Sequence, residues 1–425
     1  MKHFCLVWCL MFLASSVFSQ TLEECRKLAR EHYPEIRQYD LIRQTEQYNL
    51  SNAAKVWIPQ ISLSAQASYQ SAAPTYPEAF SSMMQAGGVN ISGVRKDQYK
   101  VALDVSQHIW DGGKSAADKV IAQADANEQN CRVEVSLHDL QTRVDNVFFG
   151  ILLFDERVSQ TKSLIAMLES NLSRMQAYLK NGVATQSDVD VVEVELLTAS
   201  QSLGQIEASR DCYRRVMEVF IGQPLSSDSL MRPEMQEVVV YESARPELAL
   251  FDAQNNVLDA RRKLINSATK PRFSAFAQGY YGYPGFDMFE SMTSAKWSFN
   301  AIVGVRMSWN FGAYYTNNNN LEKLNIAQSQ VSVRREVFLF NTEMKVAQED
   351  GEIVRLRKAV DDDVRIVELR RRVRVAAESQ FANGVIDATD LLRKITEESE
   401  AMFNLSAHEI ALLQAIYRLK STLNQ

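Results

Sequence analysis

Trp297-Ser298-Phe299-Asn300-Ala301-Ile302-Val303-Gly304-Val305-Arg306-Met307-Ser308-Trp309 is the stretch on which the fold turns. Trp297, Phe299, Ala301, Val303, Val305, Met307 and Trp309 fall on one face of an extended chain, with Ser298, Asn300, Arg306 and Ser308 on the other. Alternation with a period of two predicts a strand with one apolar and one polar side. Positions 297 and 309 are twelve residues apart, about 40 Å of strand, or about 28 Å of membrane depth at a tilt near 45°. An apolar band with aromatic residues at both rims fits a strand of an outer-membrane barrel.

A second stretch repeats the pattern after Pro59, where Ile61, Leu63, Ala65, Ala67 and Tyr69 alternate with Ser62, Ser64, Gln66, Ser68 and Gln70. A soluble β-sandwich alternates equally well, so the strand count decides between the two. Only four such strands are legible, with a polar loop rich in Ser, Gly and Pro between Ser71 and Asp97, and nothing else could form a second sheet. A sheet in hydrocarbon must close, because an open edge leaves backbone groups unpaired. About eight strands is the smallest usual closure, so four per chain predict an oligomer. Beyond Val17 no apolar run approaches the roughly twenty residues a membrane helix needs.

Working outward, the chain is written twice. Tyr33-Pro34-Glu35-Ile36 recurs as Arg245-Pro246-Glu247-Leu248, and Ile58-Pro59-Gln60-Ile61-Ser62 as Lys270-Pro271-Arg272-Phe273-Ser274, both offset by 212 positions (246 − 34 and 271 − 59). Trp110-Asp111-Gly112 answers to Asn310-Phe311-Gly312, and Lys180-Asn181-Gly182-Val183 to Ala382-Asn383-Gly384-Val385, at offsets of 200 and 202. Each unit reads as a helical segment, about Leu22 to Val56 and Glu247 to Thr269, then two strands, one very long helix, an Asn-Gly turn and a returning helix. The first segment of each unit stops before a proline, whose predecessor disfavours the helical well.

From about Lys114 to Lys180 there is no proline, and an apolar seam runs Leu137, Leu140, Val144, Val147, Ile151, Phe154, Val158, Thr161, Ile165, Leu168, Leu172, Met175 and Leu179. Its steps alternate three and four, with only Thr161 polar, which is a coiled-coil stripe. The returning helix carries Val189, Val192, Leu196, Ala199, Leu203, Ile206, Arg210, Tyr213, Met217 and Phe220. The second unit carries Ala388, Leu391, Ile395, Glu398, Met402, Leu405, Glu409, Leu412, Ile416 and Leu419, after a long helix from about Leu321 to Phe381 with a less regular seam. About sixty-six residues of helix extend about 100 Å.

Residues 1–19 read as a secretory leader: Lys2 and His3, an apolar run from Phe4 to Val17 too short to span a bilayer, then Ser19 before a cut near Gln20. Three cysteines follow it, Cys25, Cys131 and Cys212, an odd number read as free and structural. The formal charge of −6 gives no support to a nucleic-acid footprint. Arg370-Arg371-Arg372 and Arg374, following Asp361-Asp362-Asp363, read as a solvated, salt-bridged helix face. Gly113-Lys114-Ser115 lacks the earlier glycine of a phosphate loop, its place being held by His108. His32, His108, His138 and His408 are isolated, each expected at a surface or interface, and no cysteine pair has metal spacing. No enzyme, metal or cofactor site is expected.

Leader, duplication, two strands and a long hairpin in each half, and Asn-Gly turns at the hairpin tips together resemble the TolC family of outer membrane factors across essentially the whole mature chain. The resemblance implies a mainly α fold with β: long antiparallel coiled coils plus four transmembrane strands per chain, three chains closing a twelve-stranded barrel. It implies an exit duct across the periplasm that meets a periplasmic adaptor and an inner-membrane pump, passing drugs, metals or polypeptides. On that pattern the chain divides into residues 1–19 (leader), 20–222 (first repeat), 223–244 (connecting segment) and 245–425 (second repeat). The alternative class is a soluble periplasmic coiled-coil adaptor or scaffold.

Carried over residue by residue, the adaptor-docking tips are Asn181-Gly182-Val183 and Asn383-Gly384-Val385. Asp390, with Asp387 beside it, would constrict the tunnel mouth, while Arg393 stands where the family has a further Asp. Tyr69, Trp110, Trp297 and Trp309 would mark the membrane interfaces. Read without the family, Gly after Asn reverses the chain. Thr185-x-x-Asp188 and Asp387-x-x-Asp390 resemble capping boxes at a helix start.

Overall fold

The computed structural model describes residues 20–91, 93–225, 230–235 and 243–424. The expected leader lies outside them, as do residues 226–229 and 236–242 of the expected connecting segment. Helix α1 (Leu22–His32) opens on a reciprocal cap: Thr21 Oγ1 accepts from the Glu24 amide at 3.3 Å and the Glu24 carboxylate accepts from the Thr21 amide at 3.0 Å. It stops where Tyr33 turns extended (ψ 125°) before Pro34. The single helical segment expected from Leu22 to Val56 is therefore three pieces: α1, a 3₁₀ turn at Pro34–Arg37, and α2 (Gln38–Lys55). The same rule that ended the segment before Pro59 also breaks it before Pro34.

Strand β1 (Gln60–Tyr69), helix α3 (Glu78–Ala86), strand β2 (Asp97–Trp110), the long helix α4 (Lys114–Lys180) and the returning helix α5 (Gln186–Ile221) follow. The order then recurs as α6 (Pro246–Ser267), β3 (Arg272–Tyr283), α7 (Met288–Thr293), β4 (Ser298–Ser308), α8 (Gly312–Ala382) and α9 (Ala388–Leu423). Two differences from the reading stand out. Helices α3 and α7 occupy the strand-to-strand loops, and the first of these loops had read as plain polar loop. Helix α8 begins at Gly312, nine residues before Leu321, because the poor helix formers Asn317–Asn320 hid its start.

By its contacts the chain falls into two units: Met1–Tyr39 with Cys131–Leu250 and Val333–Gln425, and Asp40–Asn130 with Phe251–Ser332. The second holds one antiparallel sheet in the order β1-β2-β3-β4. Its register pairs Leu63 with Leu103, Leu103 with Gly279, and Gly279 with Ala301, so residues of like parity share a face. A bulge between His108 and Trp110 brings Trp110 opposite Phe273.

The first unit is a helical core built on the seams. On α4 none of the thirteen seam positions from Leu137 to Leu179 is exposed. Leu168 and Met175 pack with Val189, Val192 and Ala199 of α5 and Ala388 and Leu392 of α9. Ile353 and Leu356 of α8 pack with Leu412, Ile416 and Leu419 of α9. The α9 seam departs from the expected one at Met402, which is exposed while Ala401 is buried. Glu398 is buried on that seam because Arg374 donates to it and to Glu378, which pairs the charge. His138, expected at a surface or interface, is buried within the chain; burial first, then the Arg245 guanidinium, hold its imidazole below the usual histidine range.

Candidate functional site: a two-faced sheet and two helical tips

One face of the sheet is apolar over its middle, with Asp97 and Gln107 of β2 on it toward the strand ends: Ile61, Leu63, Ala65 and Ala67 on β1; Val101, Leu103 and Val105 on β2; Ala275, Ala277, Gly279 and Tyr281 on β3; Phe299, Ala301, Val303, Val305 and Met307 on β4. These side chains are bare: Phe299 is 73 % and Val303 81 % exposed. The opposite face is more crowded, with Tyr280 at 7 % and Asn300 at 8 %. Crowding on one side and splaying on the other is what a sheet curling toward its polar face produces. Leaving so many large aliphatic side chains in water forfeits about 2 kcal/mol apiece, so this face requires an apolar medium. Strands β1 and β4 are the sheet's edges, with one side of each unpaired within the chain.

Aromatic residues gather at both ends of the strands. At one end Trp110 lies with Phe273 (ring centroids 6.1 Å apart) and Trp309 with Phe311 (4.6 Å), and Trp309 Nε1 donates to the Thr269 carbonyl at 2.9 Å. At the other, Trp297 stacks on Tyr99 at 6.0 Å and meets Tyr281 at 5.4 Å, with Tyr69 exposed on β1. The four expected interface aromatics thus stand two at each end. Sequence reading missed Tyr99, Tyr281 and Phe273, which complete both clusters and which the strand alternation alone could have supplied.

The hairpin tips share one geometry. Val183 N donates to the Tyr178 carbonyl at 2.9 Å and Gly182 N to that of Leu179 at 3.0 Å; Val385 N donates to Gln380 at 2.9 Å and Gly384 N to Phe381 at 3.0 Å. This is the Schellman closure, which needs a left-handed residue at its glycine, and Gly182 and Gly384 have φ of 71° and 69°. A Schellman turn ordinarily tucks the following apolar side chain against the helix. Here Val183 and Val385 are 75 % and 70 % exposed.

Beyond the tips the two caps differ. Thr185 and Asp188 form a full box: Thr185 Oγ1 accepts from the Asp188 amide at 3.3 Å, and Asp188 accepts from the Thr185 amide and hydroxyl, both at 2.8 Å. Those donors, the amide first, hold the Asp188 carboxyl below its usual range. Asp387 accepts from the Asp390 amide at 2.8 Å, but Asp390 turns its carboxylate to Arg393 at 2.7 Å. The residue that replaces the expected aspartate is therefore the partner of the neighbouring one.

No helix among the described residues is long and apolar enough to cross a membrane, and no group of metal-ligating side chains is found among them. The fold is that of TolC-like outer membrane channels. Over 95 % of its length the chain is similar to the outer membrane protein VceC of the bacterial pathogen Vibrio cholerae, at 13 % identity and a TM-score of 0.68, covering 95 % of that chain. It is similar also to the Campylobacter jejuni CmeC outer membrane channel (11 % identity, TM-score 0.67, 95 % of this chain and 86 % of that). The open state of the Neisseria gonorrhoeae MtrE outer membrane channel agrees as well (15 %, 0.67, 95 % and 89 %). No curated protein matches the sequence. Residues 26–215 match the outer membrane efflux protein family model.

Proposed function

We propose that three copies of this chain close a twelve-stranded barrel and form the outer-membrane exit duct of a tripartite efflux or secretion system. The observation that carries this reading is the open sheet, with one bare apolar face and two unpaired edges. Joining β4 of one copy to β1 of the next satisfies both edges and turns the apolar face to lipid. The duct is passive: it carries drugs, small molecules or polypeptides delivered by an inner-membrane pump through a periplasmic adaptor, and no residue performs a chemical step. The tips at Asn181-Gly182-Val183 and Asn383-Gly384-Val385 meet the adaptor. Asp387 and Asp390 constrict the tunnel mouth, while Thr185 and Asp188 cap the first returning helix. The halves of the duct are residues 20–222 and 245–425, joined by 223–244.

Native mass and heat-modifiability of the protein extracted from outer membranes in mild detergent test this. A detergent-dependent species of three chains is expected. A soluble monomer released from the periplasm would overturn the reading and favour a coiled-coil adaptor or scaffold.

A further inference from the structure

The polar face of the sheet carries an uneven set of charges. By register, Lys100, Arg272 and Arg306 stand on it with one carboxylate, Asp104. Gln278 bridges two of them: Lys100 Nζ donates to its Oε1 at 3.2 Å, and its amide nitrogen donates to Asp104. A neutral amide orients both charges and cancels neither. Lys100 Nζ also lies 4.6 Å from the centroid of the Tyr280 ring, and the Arg306 guanidinium 4.7 Å from that of Phe276. No salt bridge within the described residues involves any of the four. The edge that a neighbouring copy would bring beside β4 adds no counter-charge, since β1 presents Gln60, Ser62, Ser64, Gln66 and Ser68 on this face. The balance is two positive charges per chain, three cations less one carboxylate, in a protein whose formal net charge is −6.

Resting on the three-chain duct proposed above, we propose that the barrel lumen is an electrostatic filter that favours anionic solutes over cationic ones, set by Lys100, Arg272 and Arg306 and opposed by Asp104. Rings of Lys and Arg make a pore anion-selective, and low-dielectric walls focus their field into the water between them. A lumen potential of about one kT raises the anion-to-cation ratio about sevenfold, and surface potentials of several kT are ordinary. The screening length is about 10 Å at 0.1 M salt and about 3 Å at 1 M, so the preference must fade as salt rises.

Reversal potentials of the purified protein in planar bilayers under a tenfold KCl gradient test the filter. Lys100→Gln with Arg306→Gln is expected to raise the potassium-to-chloride permeability ratio several-fold at 0.1 M salt, with little effect at 1 M. Asp104→Asn is expected to lower the ratio. Arg306 is exposed, so Arg306→Gln alone provides a variant that folding does not limit. Three-chain channels in which all these ratios match the unmodified protein, or in which the cation and carboxylate variants shift it the same way, would overturn the filter. An unmodified protein that is a soluble monomer and forms no channels would instead overturn the duct.

Discussion

Arg26 grips Asp145 with both arms of its guanidinium, Nε at 2.7 Å and Nη2 at 2.6 Å, and the carboxylate is 8 % exposed. The pair ties α1 to α4 across 119 positions of sequence. A buried carboxylate stripped of its partner costs about 3–5 kcal/mol, whereas replacing both partners with apolar groups can be nearly neutral. Arg26→Leu should therefore lower resistance to urea or heat far more than Arg26→Leu with Asp145→Leu. Equal loss in both variants would show that the aliphatic stem of Arg26, not its charge, supports the contact.

Acid should loosen the first hairpin tip. The folded Asp188 carboxyl lies below its ordinary value of 3.8, so the stabilisation it supplies is complete above that value and is lost as pH falls through the lower folded one. Amide hydrogen exchange at residues 186–190 should lose protection on acidification below about pH 4, and Asp188→Asn should flatten that dependence. Thr185→Ala, which removes the other half of the box, should cost about 1 kcal/mol of local stability near neutral pH and, because the lost hydroxyl also donates to Asp188, should weaken the acid dependence.

Exposed valines just past the tip glycines are the residues most suited to meet a partner helix. Val183→Asp with Val385→Asp should leave the three-chain species intact and abolish capture of the adaptor in a pull-down. Gly182→Ala makes a useful comparison: a Cβ there meets nothing within 4 Å, so only the left-handed backbone opposes it, at about 1–2 kcal/mol. That variant should fold and bind weakly. Full adaptor binding by the double-aspartate variant would remove the tips from the docking surface.

Much of this architecture lies open in the sequence because it is periodic. Leu63 and Val303 declare a strand with one apolar face by their parity, and Leu137 to Leu179 declare a packed seam by their spacing. What escaped is non-periodic or distant. Pro34 broke a helix because its effect is local and stronger than the apolar pattern around it. Arg26 and Asp145 sit on separate helices, and nothing in either stretch marks them as partners. Met402 kept the expected three-four step, yet the small Ala401 is buried instead, because the packing partner decides which neighbour turns inward. At the tips, spacing located the turns and caps but could not say that Arg393 would fold back on Asp390.

With the tunnel mouth placed at Asp387 and Asp390 as proposed, that last contact bears on what the mouth can do. Arg393 and Asp390 are largely exposed, so their pair contributes little stability; its consequence is on charge, since the guanidinium offsets the carboxylate next to it. Asp387 is also occupied, as the acceptor capping α9. If these carboxylates constrict the mouth, Asp387→Ala with Asp390→Ala should raise single-channel conductance and antibiotic leakage, with a modest loss of helix stability of about 1 kcal/mol from the missing cap. Arg393→Ala separates the charge from the cap: it frees Asp390 while leaving the bond from the Asp390 amide to Asp387 in place. It should move the mouth toward cations in bilayer recordings without altering stability measurably. Unchanged conductance and leakage in the double variant would mean that these residues only cap the helix, and that the constriction lies elsewhere along the tunnel.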